Sequence, residues 1–376
     1  MKLVFIIDNP RIIGGGDYAM FKYAEHMALR GHTVSVHGQY YNEFMDQLRR
    51  PEGFQLRLRG GVPPIVRGAG YINRAWDWVH RRLVLNAHLS RADQRPDFLI
   101  GYHRRSAIKA CDLGRTHAIP VANVVFETPT WLSKVFGERF DQRIGVAEKR
   151  EWEAVRKAYC ESAVIFPLSG VVRSEVSEWT NRIVNDPIYC GVNDPGALED
   201  NSIQDSYILY IGRLDANKNV HEIIDAVSRL DSPTKLIIAG GGYDEPDLKQ
   251  RAVELNVNCE FKGHVTDEEK WRLIQNCLFM VFPSSFEGFG IPPAESLVCG
   301  KPCICSDIPV LREVYADYVE MIPEHHVDRM VDTMKKLLAN PDYRKERGLA
   351  GRKFVLSKYT WAKCAERMEH GLLALV

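Results

Sequence analysis

The sequence predicts an α/β protein built of two doubly wound domains that face a central cleft. Three observations carry this. Strand-like apolar runs alternate with amphipathic helical patterns almost throughout, which is what a parallel sheet wrapped in helices requires. The alternation is interrupted once, by Gly191-Val192-Asn193-Asp194-Pro195-Gly196 and the polar stretch to Asp205, which reads as a linker. Finally, 376 residues are long for one core and comfortable for two domains.

In the first half, Leu3 to Ile7 is strand-like. Asp17 is expected to cap a helix running to about Arg30, with Gly31 as its stop. Thr33 to Val36 follows as a strand, then Phe98-Leu99-Ile100, Val121 to Phe126 and Val164-Ile165-Phe166. The second half repeats the pattern. Tyr207 to Ile211, Lys235 to Ala239, Cys259-Glu260-Phe261 and Leu278 to Phe282 read as strands. His221 to Leu230, Leu248 to Leu255 and Asp267 to Asn276 read as the helices between them. The expected division is 1–195, 196–357 and a closing segment 358–376.

Composition narrows the function. Lysine plus arginine equals aspartate plus glutamate, 49 each, so the molecule as a whole is no polyanion binder and no nucleic-acid partner is expected. Nine cysteines form no paired framework, and reduced, buried thiols of a cytoplasmic protein are the expectation. The apolar run at the N-terminus is too short for a signal peptide, and Asp8 with Gly14-Gly15-Gly16 fits a first strand and loop better. No apolar run approaches the roughly 20 residues of a membrane span. Residues 57–95 depart from the balance: Arg57, Arg59, Arg67, Arg74, Arg81, Arg82, Arg91 and Arg95 face only Asp77 and Asp93, with Trp76 and Trp78 among them. Such a segment suits an anionic membrane surface at the inner face of the membrane, or a lipid-phosphate acceptor. A solvated basic helix whose tryptophans pack on the first domain is the alternative.

The most informative segment is Phe286-Glu287-Gly288-Phe289-Gly290-Ile291-Pro292-Pro293-Ala294-Glu295. It sets two carboxylates eight residues apart across a glycine-rich turn that opens a helix. Pro292 and Pro293 suit a first helical turn, where a missing N–H costs nothing. Gly288 and Gly290 admit close approach of a ligand, and the helix start receives an anion. An anion cradle beside two acceptors for hydroxyl groups asks for a nucleotide sugar.

The motifs along the second half, in their order, resemble the retaining glycosyltransferases of family 4, which have the two-domain GT-B fold with two Rossmann-like domains. Glu287 and Glu295 match that family's E-x7-E pattern. Tyr210-Ile211-Gly212-Arg213-Leu214 with Lys218-Asn219 is similar to its diphosphate-binding strand and loop. Phe261-Lys262-Gly263-His264-Val265 resembles the segment beside the base, Ser169 and Gly191-Val192-Asn193 the end of the first domain, and Tyr359-Thr360-Trp361 the start of a helix crossing back to it. The resemblance implies a hexosyltransferase that uses a UDP- or GDP-linked donor and a carbohydrate or lipid-linked acceptor. A nucleotide-sugar epimerase or phosphorylase-like enzyme on the same fold, or a non-catalytic donor-binding subunit, are the alternatives.

In such a site Arg213 would bind phosphate oxygens through its planar fork and Lys218 through a compact charge, with backbone N–H groups of Gly288, Phe289 and Gly290 completing the cradle. Glu295 is the candidate for the ribose hydroxyls, since a carboxylate accepts from two vicinal O–H groups. A solvated helix-start glutamate is its bland reading. By resemblance Glu287 faces the transferred sugar, and Val265 lies beside the nucleotide. Gly15 and Gly16 offer a loop toward the diphosphate, or a plain turn; the G-x-G-x-x-G spacing of dinucleotide binders is absent. Many family members carry a histidine after the strand represented by Val121 to Phe126. Here Phe126 or Glu127 stands in that place, which leaves two catalytic candidates beside Glu287: Glu127, contacting the acceptor hydroxyl or the donor, and His103, facing the cleft after its own strand. A plain loop glutamate and a structural histidine are the alternatives. No D-x-D pair and no histidine–cysteine cluster is present, so no metal and no other cofactor is expected.

Overall fold

The computed structural model describes residues 1–7, 14–38, 48–58, 89, 95–129, 145–196 and 207–375. Asp8, most of the basic segment 57–95 with both its tryptophans, and the linker from 197 to 206 lie outside the described residues. Arg95, at the end of that segment, donates to the carbonyl of Ala118 (2.7 Å), at the C-terminal end of a helix.

Two compact units emerge, Met1–Ile188 with Cys364–Val376, and Tyr189–Lys363. The first holds a parallel sheet of β1 (Lys2–Ile6), β2 (Thr33–Gly38), β3 (Phe54–Leu58), β4 (Phe98–Tyr102), β5 (Val121–Val125) and β6 (Val164–Pro167), in the order β3-β2-β1-β4-β5-β6. β1 is in register with both neighbours, Leu3 opposite Val34 and Phe98. The second holds β7 (Tyr207–Ile211), β8 (Lys235–Ala239), β9 (Cys259–Gly263), β10 (Phe279–Phe282), β11 (Cys303–Ser306) and β12 (Glu320–Ile322), in the order β12-β11-β10-β7-β8-β9. Renumbered within its unit, that is the same order. β4, β5, β7 and β10 are buried along their whole length, as strands covered on both faces must be, and so read as unbroken apolar runs.

The first helix, α1 (Gly15–Leu29), starts two residues before Asp17. Gly14 is its N-cap; Asp17 sits at the third helical position and accepts from the Gly14 N–H at 3.0 Å. Asp17 thus satisfies the helix start from inside. It is held there by the Tyr102 hydroxyl, which donates to its other oxygen. β4 leads into α2 (His103–His117), α3 (Val146–Glu161) precedes β6, and Ser169 caps α4 (Gly170–Thr180), its hydroxyl accepting from Val172 N–H.

In the second unit β7 is followed by a 3-10 turn (Ala216–Lys218) and α5 (Val220–Val227), β8 by α6 (Glu245–Glu254) and β9 by α7 (Asp267–Asn276). β10 leads to α8 (Ile291–Val298), β11 to α9 (Pro309–Tyr315) and β12 to α10 (Val327–Ala339) and α11 (Pro341–Lys358). The chain ends in α12 (Trp361–Leu373), whose Cys364, Ala365, Met368 and Leu372 are fully buried. From Cys364 onward this helix is part of the first unit, where Arg30 and His32 bond Glu369. No helix among the described residues is long and apolar enough to cross a membrane.

Candidate active site

In a doubly wound sheet the loops that leave the carboxyl ends of the two central strands diverge and open a crevice where the strand order reverses. In the second unit those strands are β7 and β10. The loop after β7 carries Arg213 and Lys218; the loop after β10 carries Glu287, Gly288, Phe289 and Gly290 and opens α8 with Glu295. The topology therefore brings together residues such as Lys218 and Glu287, which the sequence sets 69 positions apart.

The two loops are stitched to each other. Asn219 donates to the carbonyl of Pro283 (2.9 Å) and to the Ser285 hydroxyl (2.6 Å), and Ser285 N–H donates to the carbonyl of Asn217 (2.9 Å). Across this seam the Lys218 ammonium meets Glu287 Oε1 at 2.5 Å, with the side chains only 12% and 13% exposed. Arg213 is different: it is exposed and pairs with Asp215 at 2.9 Å. The loop bearing it is fixed by the Tyr210 hydroxyl, which donates to the Arg213 carbonyl (2.7 Å). Burial, then Glu287 and Asp215, hold that phenol far above its usual range, so Tyr210 acts as a donor.

The Phe289 ring does not line an opening. It is buried against Tyr315, Tyr359 and Tyr189, ring centres 5.3–6.4 Å apart, and anchors the loop so that backbone is what the loop presents. Gly290, the N-cap of α8, has φ +87 and its carbonyl accepts from Tyr315 (2.6 Å). Among the described residues no protein acceptor takes the N–H groups of Gly288, Phe289 and Gly290. Pro292 and Pro293 fall at the second and third helical positions, and Glu295 lies at the fifth, one step beyond the first turn. Its carboxylate is buried and receives Lys270 Nζ at 2.7 Å on Oε1. Val265 sits half-buried between β9 and α7, two residues before that helix begins at Asp267.

Lys270 was not among the sequence candidates, yet a signal for it exists. It shares an i, i+3, i+4, i+7 stripe of α7 with Leu273, Ile274 and Cys277, all buried. A lysine on a core stripe needs an acid opposite it.

The first unit shows the same logic at β1 and β4. Gly15 and Gly16 are the first two residues of α1, and Gly16 lies against the Phe126 ring, which packs edge-on to Tyr102 at 5.8 Å. His103 opens α2 with a left-handed φ of +50. Its Nδ1 is 3.6 Å from Glu127 Oε1, so the ends of adjacent strands bring these two candidates together. The surrounding protein, then Arg104, lower the His103 pKa to about 4. The ring is 45% exposed. Arg104 itself is fixed by Glu148 (3.1 Å) and by the Trp152 ring 4.7 Å away. Among the described residues, no group of three or more histidine, cysteine, aspartate and glutamate side chains is arranged to hold a metal ion.

Comparison with known proteins agrees with this geometry. Residues 199–354 match the family described as glycosyl transferases group 1. The chain is 30% identical over 168 residues to the O-antigen chain mannosyltransferase B of Escherichia coli, 42% of this chain and 43% of that one. It is 32% identical over 152 residues to the N-acetylgalactosamine-N,N'-diacetylbacillosaminyl-diphospho-undecaprenol 4-alpha-N-acetylgalactosaminyltransferase of Campylobacter jejuni, 40% and 42% of the two chains. The chain thus spans less than half the length of these curated relatives. The fold is shared more widely. Sucrose-phosphate synthase from Thermosynechococcus elongatus superposes over 100% of this chain and 99% of its own with a TM-score of 0.80 at 16% identity. HepE of Anabaena, in complex with UDP-glucose, superposes over 99% of each chain with a TM-score of 0.76 at 14% identity. The architecture is thus the two-domain GT-B fold, and residues 199–354, which hold the Lys218, Glu287 and Glu295 site, match the glycosyl transferases group 1.

Proposed function

We propose that this chain is a retaining glycosyltransferase of glycan biosynthesis, moving a hexose from a UDP- or GDP-linked donor to a carbohydrate or lipid-linked acceptor. The observation that carries the reading is the crevice between β7 and β10, where one backbone cradle is flanked by the Lys218–Glu287 pair and by the buried carboxylate of Glu295. Arg213, Lys218 and the N–H groups of Gly288 to Gly290 bind the diphosphate and offset the charge that grows on it as the glycosidic bond breaks. Glu287 faces the sugar, and Glu295 accepts from the ribose hydroxyls. Fixed donors of this kind replace a divalent cation, so turnover is metal-independent. His103, neutral at pH 7, and Glu127 serve the acceptor side. The lipid-linked acceptor finds support in the Campylobacter jejuni relative, whose name specifies a diphospho-undecaprenol acceptor, and in the arginines of 57–95, which suit an anionic membrane surface.

The test is calorimetric. Wild type binds UDP or GDP, and Glu295→Ala weakens that binding at least about tenfold, as loss of hydrogen bonds to a charged group does. Equal affinity of the two proteins would sink the assignment. A rise in turnover on adding magnesium to the EDTA-treated enzyme would remove the metal-independent part alone.

A further inference from the structure

We propose that Lys270 is a positioning residue for nucleotide recognition: it holds the Glu295 carboxylate in place for the ribose diol. The inference rests on the reading of Glu295 as the ribose acceptor and adds a residue that neither the E-x7-E spacing nor the phosphate loop contains.

Four observations converge. The first is register, since Lys270 occupies a core position of α7, in line with Leu273, Ile274 and Cys277. Nothing in helix formation places a cation there; a partner must. The second is distance. Lys270 Nζ lies 2.7 Å from Glu295 Oε1 and 3.3 Å from Asp267. The near-contact partner is the carboxylate of a different helix, not the helical neighbour that an ordinary surface lysine would choose. Third, both groups are sheltered, 15% and 7% exposed. A carboxylate so buried without an opposite charge is strongly disfavoured, so the ammonium is what lets Glu295 stand in the crevice as an acceptor. The fourth is stoichiometry. Lysine donates and never accepts; it occupies Oε1, and among the described residues Oε2 has no hydrogen-bond partner. That oxygen remains for hydroxyl donors. The Trp271 ring, 4.8 Å from Nζ, limits the swing of the lysine.

There is a consequence for the order of parts. α7 begins two residues after Val265, so the segment beside the base and the cation behind the ribose carboxylate are one rigid continuation. A nucleotide that seats its base against that segment finds the ribose acceptor already aimed.

The experiment compares full-length wild type, Lys270→Met, Lys270→Arg and Glu295→Ala by calorimetry with UDP, GDP and their 2',3'-dideoxy forms, with far-UV circular dichroism and melting as fold controls. Lys270→Met is expected to weaken binding of UDP or GDP about tenfold while leaving the dideoxy form within twofold of wild type, and Lys270→Arg is expected to restore most of the loss. If Lys270→Met weakens both forms equally, or neither, the positioning role is overturned. Should Lys270→Met fail to fold, Lys270→Arg decides: wild-type discrimination between ribose and dideoxyribose supports the role, and its loss in a folded protein overturns it. The two layers separate cleanly. Glu295→Ala without effect on any nucleotide, or a wild type that binds neither UDP nor GDP, removes the ribose reading itself. Glu295→Ala with effect and Lys270→Met without removes only the present inference.

Discussion

Lys218 and Glu287 stand nearly buried against each other at 2.5 Å, and the arrangement sets what each substitution does. Removing the cation strands a desolvated carboxylate, whereas removing both leaves only a packing change. Lys218→Met is therefore expected to cost on the order of 2 kcal/mol, below the figure for a fully enclosed pair because both side chains retain some solvent. Lys218→Met with Glu287→Leu should recover much of that. Urea unfolding of the two singles and the double measures it, and additive losses would show that the pair carries no coupling. Two histidines set a pH dependence in the first unit. Burial, then Lys22 and Arg49, lower the His26 pKa to about 4, and that of His103 is lowered to a similar value. The unfolded chain protonates these rings near 6.5, the folded protein only near 4. The stability tied to their neutral state is thus complete above about pH 6.5 and falls as pH drops toward 4. Substituting glutamine for His26 should flatten that limb of the stability curve more than the same change at His103, whose ring is more exposed; an unchanged slope in the first would refute it.

At the level of elements, the loops around the crevice depend on backbone that side chains would obstruct. Gly240, which follows β8, has φ +124, and a Cβ there would lie 1.9 Å from the carbonyl oxygen of Gly212. Gly240 N–H is meanwhile bonded to Gly263 and Gly212 N–H to Ala239, so the ends of β7, β8 and β9 close on one another. Gly240→Ala must push the Arg213 loop aside and should cost about 1–3 kcal/mol, together with donor affinity; retained stability and affinity would show the loop to be slack. Gly290, left-handed and 2.7 Å from Leu311 by the same construction, predicts the same for the carboxylate loop. How much of this was legible follows from the kind of signal. The glycine-proline turn between Glu287 and Glu295 announces itself because conformation is written in those residue types. The sequence puts the helix cap at Asp17, three residues after the observed cap Gly14, because an aspartate satisfies the helix start equally well from the third helical position. Strands β3 and β12 escaped the reading: they are edge strands, short and half polar, with no apolar run to mark them. Lys270 escaped because its partner lies 25 residues on, in another helix, and pairing between helices has no fixed spacing.

On the scale of the whole chain, one plan is used twice. Each unit sets the first and fourth strands of its own chain order side by side at the centre of its sheet, and most of the candidate residues follow those strands. The alternation of periods was enough to predict that plan, because it depends only on burial and connection rules. The return of the chain to the first unit is subtler, and its energetics are concentrated in α12. Met368 and Leu372 are fully buried, and a Cβ on Gly371 would touch the Phe166 ring at 2.4 Å, so this helix is core rather than a tail. Met368→Ala should cost the first unit about 2–5 kcal/mol, the range for emptying a packed methionine site. Glu369 adds a charge component: although burial raises its pKa, hydrogen bonds from Arg30 and His32 hold it below the usual carboxylate range overall. A carboxylate depressed in the folded state contributes stability that is present above about pH 4.5 and is lost as pH falls through its folded value. Glu369→Gln should therefore destabilise the protein at pH 7 and do so less as pH falls below 4.5 to pH 3, where the wild type progressively loses the same contribution. Denaturant titrations of both proteins at the two pH values test this, and a difference that does not shrink with acid would show that Glu369 acts through packing instead of charge.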